Sequence, residues 1–129
     1  MYENIHNATP HDVMVYAPDG EHLIHTFPRA GTALRIQERD GGPANVDGLD
    51  LGKIPLVCPP TRLSLETSGT PVPRGAKAII VSGMVGEYLA MHPECYAGIS
   101  VLGPRSGPSC VVRDKKGAIL GTRFLVKYR

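Results

Sequence analysis

Cysteine is scarce in this chain: Cys58, Cys95 and Cys110 make an odd number, with no C-x-x-C pair among them. That argues against a disulfide framework or a zinc knuckle and favours a reducing compartment, so the cytoplasm of the host cell is the expected location. Long apolar runs are missing too, and nothing approaches the roughly eighteen residues that cross a bilayer. The first residues lack the charged-then-apolar layout of a signal peptide. Excess charge is also lacking: a formal net charge of +2 provides little attraction for a nucleic acid polymer or an anionic membrane.

What the chain does have is turn chemistry. Fifteen glycines and twelve prolines fill about a fifth of the 129 residues. A helical bundle would not tolerate that, so short strands joined by turns are expected. The length suits one domain, residues 1–129, with a core that needs no staples. The fold class is α+β, mainly antiparallel β hairpins with one or two short helices.

The hairpins follow from local composition. Residues 12–27 carry β-rich Val13-Met14-Val15-Tyr16, the turn Pro18-Asp19-Gly20 and a returning strand. Residues 32–37 form a third strand, with Leu34 and Ile36 on one face and Arg35 and Gln37 on the other. A polar excursion over 38–52, read as a loop or an extended hairpin, leads to an edge-type strand over 53–58, where Pro55 cannot serve a central ladder. Residues 67–77 read as a second loop, and 103–108 as a third. In the last hairpin, 110–113 turns through 114–117 into a strand over 118–127. Gly117 there needs positive φ, and Leu120, Thr122, Phe124 and Val126 share a face.

The most informative segment is residues 78–89. A continuous apolar run, as in a buried strand, stops at Ser82, which caps the helix expected over 83–92. Val85, Leu89, Met84 and Tyr88 form its apolar stripe, and Pro93 stops it. Such a junction aims free backbone N–H groups outward, where they hold an anion or a polar ligand edge. Ser82 and Gly83 are not in a G-x-S-x-G elbow, so a cap is the simpler reading than a nucleophile. The G-x-G-x-x-G turn of a dinucleotide fold is absent, and the hairpins around the helix are antiparallel in character.

Charged residues offer fewer candidates. His22 and His25, three apart on a strand, point to opposite faces and make a poor metal site. Arg113, at the end of a strand, either pairs with Asp114 or Glu87 or faces a ligand's phosphate or carboxylate. Arg35 is a weaker case of the same kind. Lys115, Lys116, Arg123, Lys127 and Arg129 read as a solvated end. The opening Asn7-Ala8-Thr9-Pro10-His11-Asp12-Val13 is compact turn chemistry, either local capping or, for Asn7 and His11, a ligand contact.

Three segments together carry a resemblance: the opening just quoted, Ile79-Ile80-Val81-Ser82 with Val85, and Val112-Arg113-Asp114 with Gly117 and Gly121. Their order resembles that of small proteins from phages and phage-like elements that open with Asn-x-Thr-Pro-His. Among these the chain looks like the anti-Thoeris sponge proteins, which sequester cyclic ADP-ribose-type immune signals without cleaving them. The resemblance implies a β-rich core with C-terminal helices, assembled as an oligomer with ligand pockets between subunits. It also implies a phosphate-binding role for Arg113 and a pocket wall from the residues after Ser82.

The expected function is therefore non-enzymatic capture of a small nucleotide-derived signal, with no cofactor and no metal. The expected ligand-binding residues are Ser82, Gly83, Met84, Tyr88, Arg113, Arg35 and His11, with Tyr88 stacking on a base. The expected partners are that ligand and further copies of the chain. Two alternatives remain: a structural or interaction module of a virus or phage-like element, and a small hydrolase using histidine and Ser82.

Overall fold

Residues 1–39, 41–60 and 62–129 are described by the computed structural model. Asp40, inside the excursion expected over 38–52, lies outside the described residues, as does Thr61. Ten strands and one helix follow in the order β1 (Ile5–Asn7), β2 (Val13–Tyr16), β3 (Leu23–Phe27), β4 (Thr32–Arg39), β5 (Arg62–Gly69), β6 (Ala78–Ile80), α1 (Gly83–Met91), β7 (Ser100–Pro104), β8 (Val111–Arg113), β9 (Ile119–Thr122) and β10 (Leu125–Lys127). Among the described residues the protein is β-rich with one short helix, broadly in the α+β class. That helix lies mid-chain and four strands follow it, so the C-terminal helices that the resemblance implies are not there.

The apolar run at Ala78 lies where its composition requires. β6 is inside a four-stranded sheet of order β1-β6-β7-β10, and Ile79, Ile80 and Val81 are fully buried. A strand covered on both faces has no reason to alternate polar with apolar residues. β1, β6 and β7 run parallel, and β10 is antiparallel to β7. The sheet that carries the core is thus mostly parallel, which corrects the antiparallel expectation there. β6, α1 and β7 form a β-α-β unit, a connection parallel neighbours require.

α1 lays Val85 and Leu89 on this sheet, where they join Ala8, Leu34, Ile79, Val81 and Val101 in one cluster. Each buried Val, Leu or Ile contributes about 1.5–3 kcal/mol. Met84 leaves the expected stripe and is 56% exposed, while Tyr88 is half-buried. Pro93 follows the helix, whose last residue is Met91.

The second sheet has the order β3-β2-β9-β8. Its β2–β3 hairpin matches the reading of residues 12–27, with a bulge at Val15/Tyr16. β8 and β9 pair around the turn in which Gly117 takes φ +86°. The strand expected over 118–127 is broken at Arg123: β9 lies in the second sheet and β10 in the first. Thr122 makes the break. Its buried hydroxyl lies 2.9 Å from the Arg105 carbonyl and 3.0 Å from the Phe124 carbonyl, and a local bond to Phe124 bends the chain. Leu120 and Phe124 are consequently exposed, not gathered on the buried face of Thr122.

β4 and β5 form a two-stranded ribbon in unbroken register from Thr32↔Gly69 to Arg39↔Arg62. Leu34 is buried and Arg35 and Gln37 are exposed, as alternation requires. β5 takes Thr67, Ser68 and Gly69 from the loop expected over 67–77, and β7 takes Gly103 and Pro104 from that expected over 103–108. The strand expected over 53–58 does not form. The connection is an irregular extension of the hairpin, with one bridge between Pro43 and Val57.

Two arginines assigned to a solvated end are structural. Arg129 donates to the carbonyls of Leu89, His92, Cys95, Tyr96 and Ile99 at 2.7–3.3 Å, closing the end of α1 and the turn after it. Arg123 lies over the β2–β3 turn, where its Nη1 donates to the Pro18 carbonyl at 3.3 Å. Glycine suits position 20 because its φ of +75° is one that L side chains rarely adopt, and Arg123 also approaches it closely.

Candidate functional site

Asn7 holds the rim of the site. Its buried amide donates to the carbonyls of His11 at 2.7 Å and Phe27 at 2.9 Å. Its carbonyl oxygen accepts from the Thr9 N–H at 3.0 Å and the Thr9 hydroxyl at 2.7 Å. The amide's two donor and two acceptor positions are thus all used, which makes Asn7 a structural hub and not a ligand contact. This network shapes the turn of residues 9–12 and presents Thr9, Pro10 and His11 to a groove.

The groove has a volume of about 800 Å³ and runs between the two four-stranded sheets and β4. Val13 and Met14 of β2, Leu34 and Ile36 of β4, Met84 and Val85 of α1, and Ile119 and Leu120 of β9 give it an apolar lining. Polar groups enter from the edges: His11, Arg35, Ser82, Arg105, Ser106 and Thr122. Asp12 also borders it, but its carboxylate is engaged by Arg29, accepting that residue's N–H at 2.9 Å with the guanidinium 4.0 Å away. Arg35 and Arg105 are exposed and form no ion pair among the described residues. An apolar floor edged by two cations suits a ligand with a ring or aliphatic body and an anionic group.

Four of the seven residues expected from sequence converge here: His11, Arg35, Ser82 and Met84. Ser82 has the extended backbone of an N-cap, and its carbonyl accepts from Gly86 at 2.8 Å. Its hydroxyl makes no capping bond, contrary to expectation, and is exposed at the groove. The three others lie elsewhere. Gly83 is outside the lining, in the helical turn beyond Ser82. Tyr88 stacks on His92, with ring centroids 4.0 Å apart, and packs against the core, so one face of its ring is already taken. Arg113 is exposed at the end of β8 and donates to the Gly117 carbonyl at 2.7 Å, closing its own turn. It pairs with neither Asp114 nor Glu87, whose carboxylates form no ion pair among the described residues.

Arg105 and Thr122 are the contributions that sequence reading missed. The signal for Arg105 was a cation held inside Gly103-Pro104-Arg105-Ser106-Gly107-Pro108, a segment stiff enough to aim it. Its N–H donates to the Phe124 carbonyl at 3.0 Å, which ties this loop to the point where the chain changes sheets.

The histidines serve different ends. His22 Nδ1 lies 2.6 Å from the Asp19 carboxylate, which the N–H groups of Glu21 and His22 and the His22 ring together lower to a pKa of about 2. His25 packs between Tyr2 and Phe27, at 4.4 and 4.6 Å. No helix among the described residues is long and apolar enough to cross a membrane. The chain matches no family model, no curated protein and no solved structure, and its candidate site therefore stands on the groove's own residues.

Proposed function

We propose that this chain captures, without turnover, a small anionic ligand with a ring-bearing body, and that the ligand is a nucleotide-derived signal of the cyclic ADP-ribose or cyclic oligonucleotide type. In this reading the protein is a viral anti-defence sponge. The observation that supports it best is the groove, whose apolar floor is bordered by Arg35 and Arg105. Ser82, whose hydroxyl makes no capping bond, borders the same groove. Met84 and Val85 bring the first turn of α1, with the N–H groups a helix start leaves free, to its lining. The nucleotide class and the absence of cleavage come from the sequence resemblance.

Denaturing the purified protein and examining the supernatant by mass spectrometry tests this directly. An intact nucleotide in the supernatant supports capture, and a cleaved one points to an enzyme. Calorimetry against a panel of cyclic ADP-ribose isomers and cyclic oligonucleotides extends the test to protein purified empty. No release together with no binding to any panel member defeats the reading.

One observation favours a second reading. Met84, Ile119 and Leu120, at 56%, 61% and 41% exposure, put large apolar side chains at the groove. That surface also suits a protein partner, as an interaction module would require.

A further inference from the structure

β5 is a sheet edge with an unusual combination of properties. It is eight residues long, pairs with β4 alone, and contains neither proline nor lysine. Its ladder with β4 has no bulge. Proline, lysine, a bulge and shortness are devices by which natural sheets blunt an edge, and β5 lacks these four; its only charges are one of each sign, Arg62 and Glu66. The edge strands of the other sheets are shorter, at three to five residues. On the opposite edge of the ribbon, the Leu34 N–H already donates to the Ala8 carbonyl at 3.0 Å.

The phase of the ladder shows which groups face outward. One step beyond Thr32↔Gly69, the Thr70 N–H donates to the Gly31 carbonyl at 2.9 Å. Hydrogen-bonded pairs recur at every second residue, so Arg62, Ser64, Glu66 and Ser68 direct their backbone groups at β4. Leu63, Leu65 and Thr67 direct theirs away from it.

We infer that this edge joins the β5 edge of a second copy, antiparallel, about a two-fold axis at Ser64. In that register Leu63 and Leu65 of one copy exchange backbone bonds with Leu65 and Leu63 of the other, four bonds in all. The alternation that leaves Leu63 49% exposed sets it beside the second Leu65 on the same face. The other face supplies charge complementarity. Within one chain Arg62 stands directly opposite Arg39, a repulsive pair. Across the two-fold axis Arg62 meets Glu66, and Glu66 meets Arg62. One register therefore satisfies the backbone phase, the leucines and the charges together. The product is a continuous four-stranded antiparallel sheet, β4-β5-β5-β4. The pairing is independent of the ligand reading, because the groove lies on β4, one strand inward.

A cysteine at Ser64 and a charge swap test the register. Residues facing across a non-hydrogen-bonded antiparallel pair have Cα atoms about 4.5 Å apart, within the span of about 4.4–6.8 Å that a disulfide bridges. Ser64→Cys should therefore give a 64–64 linked dimer under mild oxidation, mapped by peptide mass spectrometry. Arg62→Glu and Glu66→Arg should each weaken the dimer about tenfold in sedimentation, and the double variant should restore it. Under conditions where all are monomeric, Arg62→Glu should melt at or slightly above the parent, because it relieves the repulsion with Arg39. Glu66→Arg should melt slightly below it, because it faces Arg35 within the chain. Opposite monomer effects with the same loss of dimer separate dimer loss from misfolding. A parent that stays monomeric at about 100 µM overturns the inference. So does a dimer with no 64–64 link, or one indifferent to the charge swap.

Discussion

The Nη1 atom of Arg129 donates to the carbonyl oxygen of Leu89 at 3.1 Å, joining residues forty apart in the chain. The same guanidinium also reaches His92, Cys95, Tyr96 and Ile99, so one cation caps the carbonyls that end α1 and the turn beyond it. Helix ends leave such carbonyls without partners, and a cation there also complements the helix dipole.

Arg129→Ala should therefore cost about 2–4 kcal/mol, because several half-buried carbonyls lose a charged donor at once. Arg129→Lys should recover only part, since an ammonium group cannot copy the planar fork. Urea unfolding of the two variants checks this, and a loss below about 0.5 kcal/mol for alanine would show that water replaces the guanidinium freely.

Tyr128 makes Gly86 a position of close approach. A Cβ added at Gly86 would press well inside van der Waals distance of the Tyr128 ring, and one added at Gly103 would stand 2.8 Å from it. Alanine in a helix interior normally gains about 1 kcal/mol over glycine. Here overpacking, typically about 1–3 kcal/mol, should outweigh that gain, so Gly86→Ala should destabilise. In a Tyr128→Leu background the same change should become neutral or stabilising. A double-mutant cycle by thermal unfolding reads the change of sign.

His6 gives stability a pH dependence. Thr32 donates its hydroxyl proton to the Thr70 carbonyl and accepts from the His6 Nε2–H at 2.8 Å. Burial disfavours the charged ring and lowers the folded pKa below the ordinary 6.5. The unfolded chain then takes up the proton first, so stability should fall as pH drops below 6.5 and through the folded pKa. His6→Gln should show a shallower decline in urea midpoints between about pH 8 and about pH 5. Parallel curves for parent and variant would remove His6 from the pH response.

Three arginine variants separate the groove from the last hairpin. If the groove binds an anion, Arg35→Ala and Arg105→Ala should each weaken binding by about 1.5–3 kcal/mol, the worth of a charged hydrogen bond. Arg113→Ala should leave binding unchanged and cost about 1 kcal/mol of stability through its exposed bond to Gly117. Calorimetry with whichever panel member binds, together with unfolding curves, distinguishes them. Weakening by Arg113→Ala alone would move the site to the β8–β9 turn.

The hairpins and the buried strand were legible because their causes are local. Turn residues at Pro18-Asp19-Gly20 and Asp114 to Gly117 specify reversal, and alternation at Leu34-Arg35-Ile36 specifies a face. The strand over 62–69 was harder to see, since Arg62-Leu63-Ser64-Leu65-Glu66 is mostly exposed and takes its register from β4. Only part of the groove was legible, for a related reason: His11, Arg35, Ser82 and Met84 sit on elements whose local pattern was clear.

The sequence by itself determined that this chain is β-rich, that a helix begins after Ser82 and that Ile79, Ile80 and Val81 are interior, since each follows from neighbours within a few residues. Only the tertiary structure decided that β6 lies between parallel partners, that the last strand divides at Thr122 between two sheets, and which arginine serves which end. Arg129 closes a helix, Arg113 closes a turn, and Arg105 borders the groove, although all three are exposed-type cations in sequence. A guanidinium's role depends on which carbonyls or open space surround it, and those arrive from residues tens of positions away.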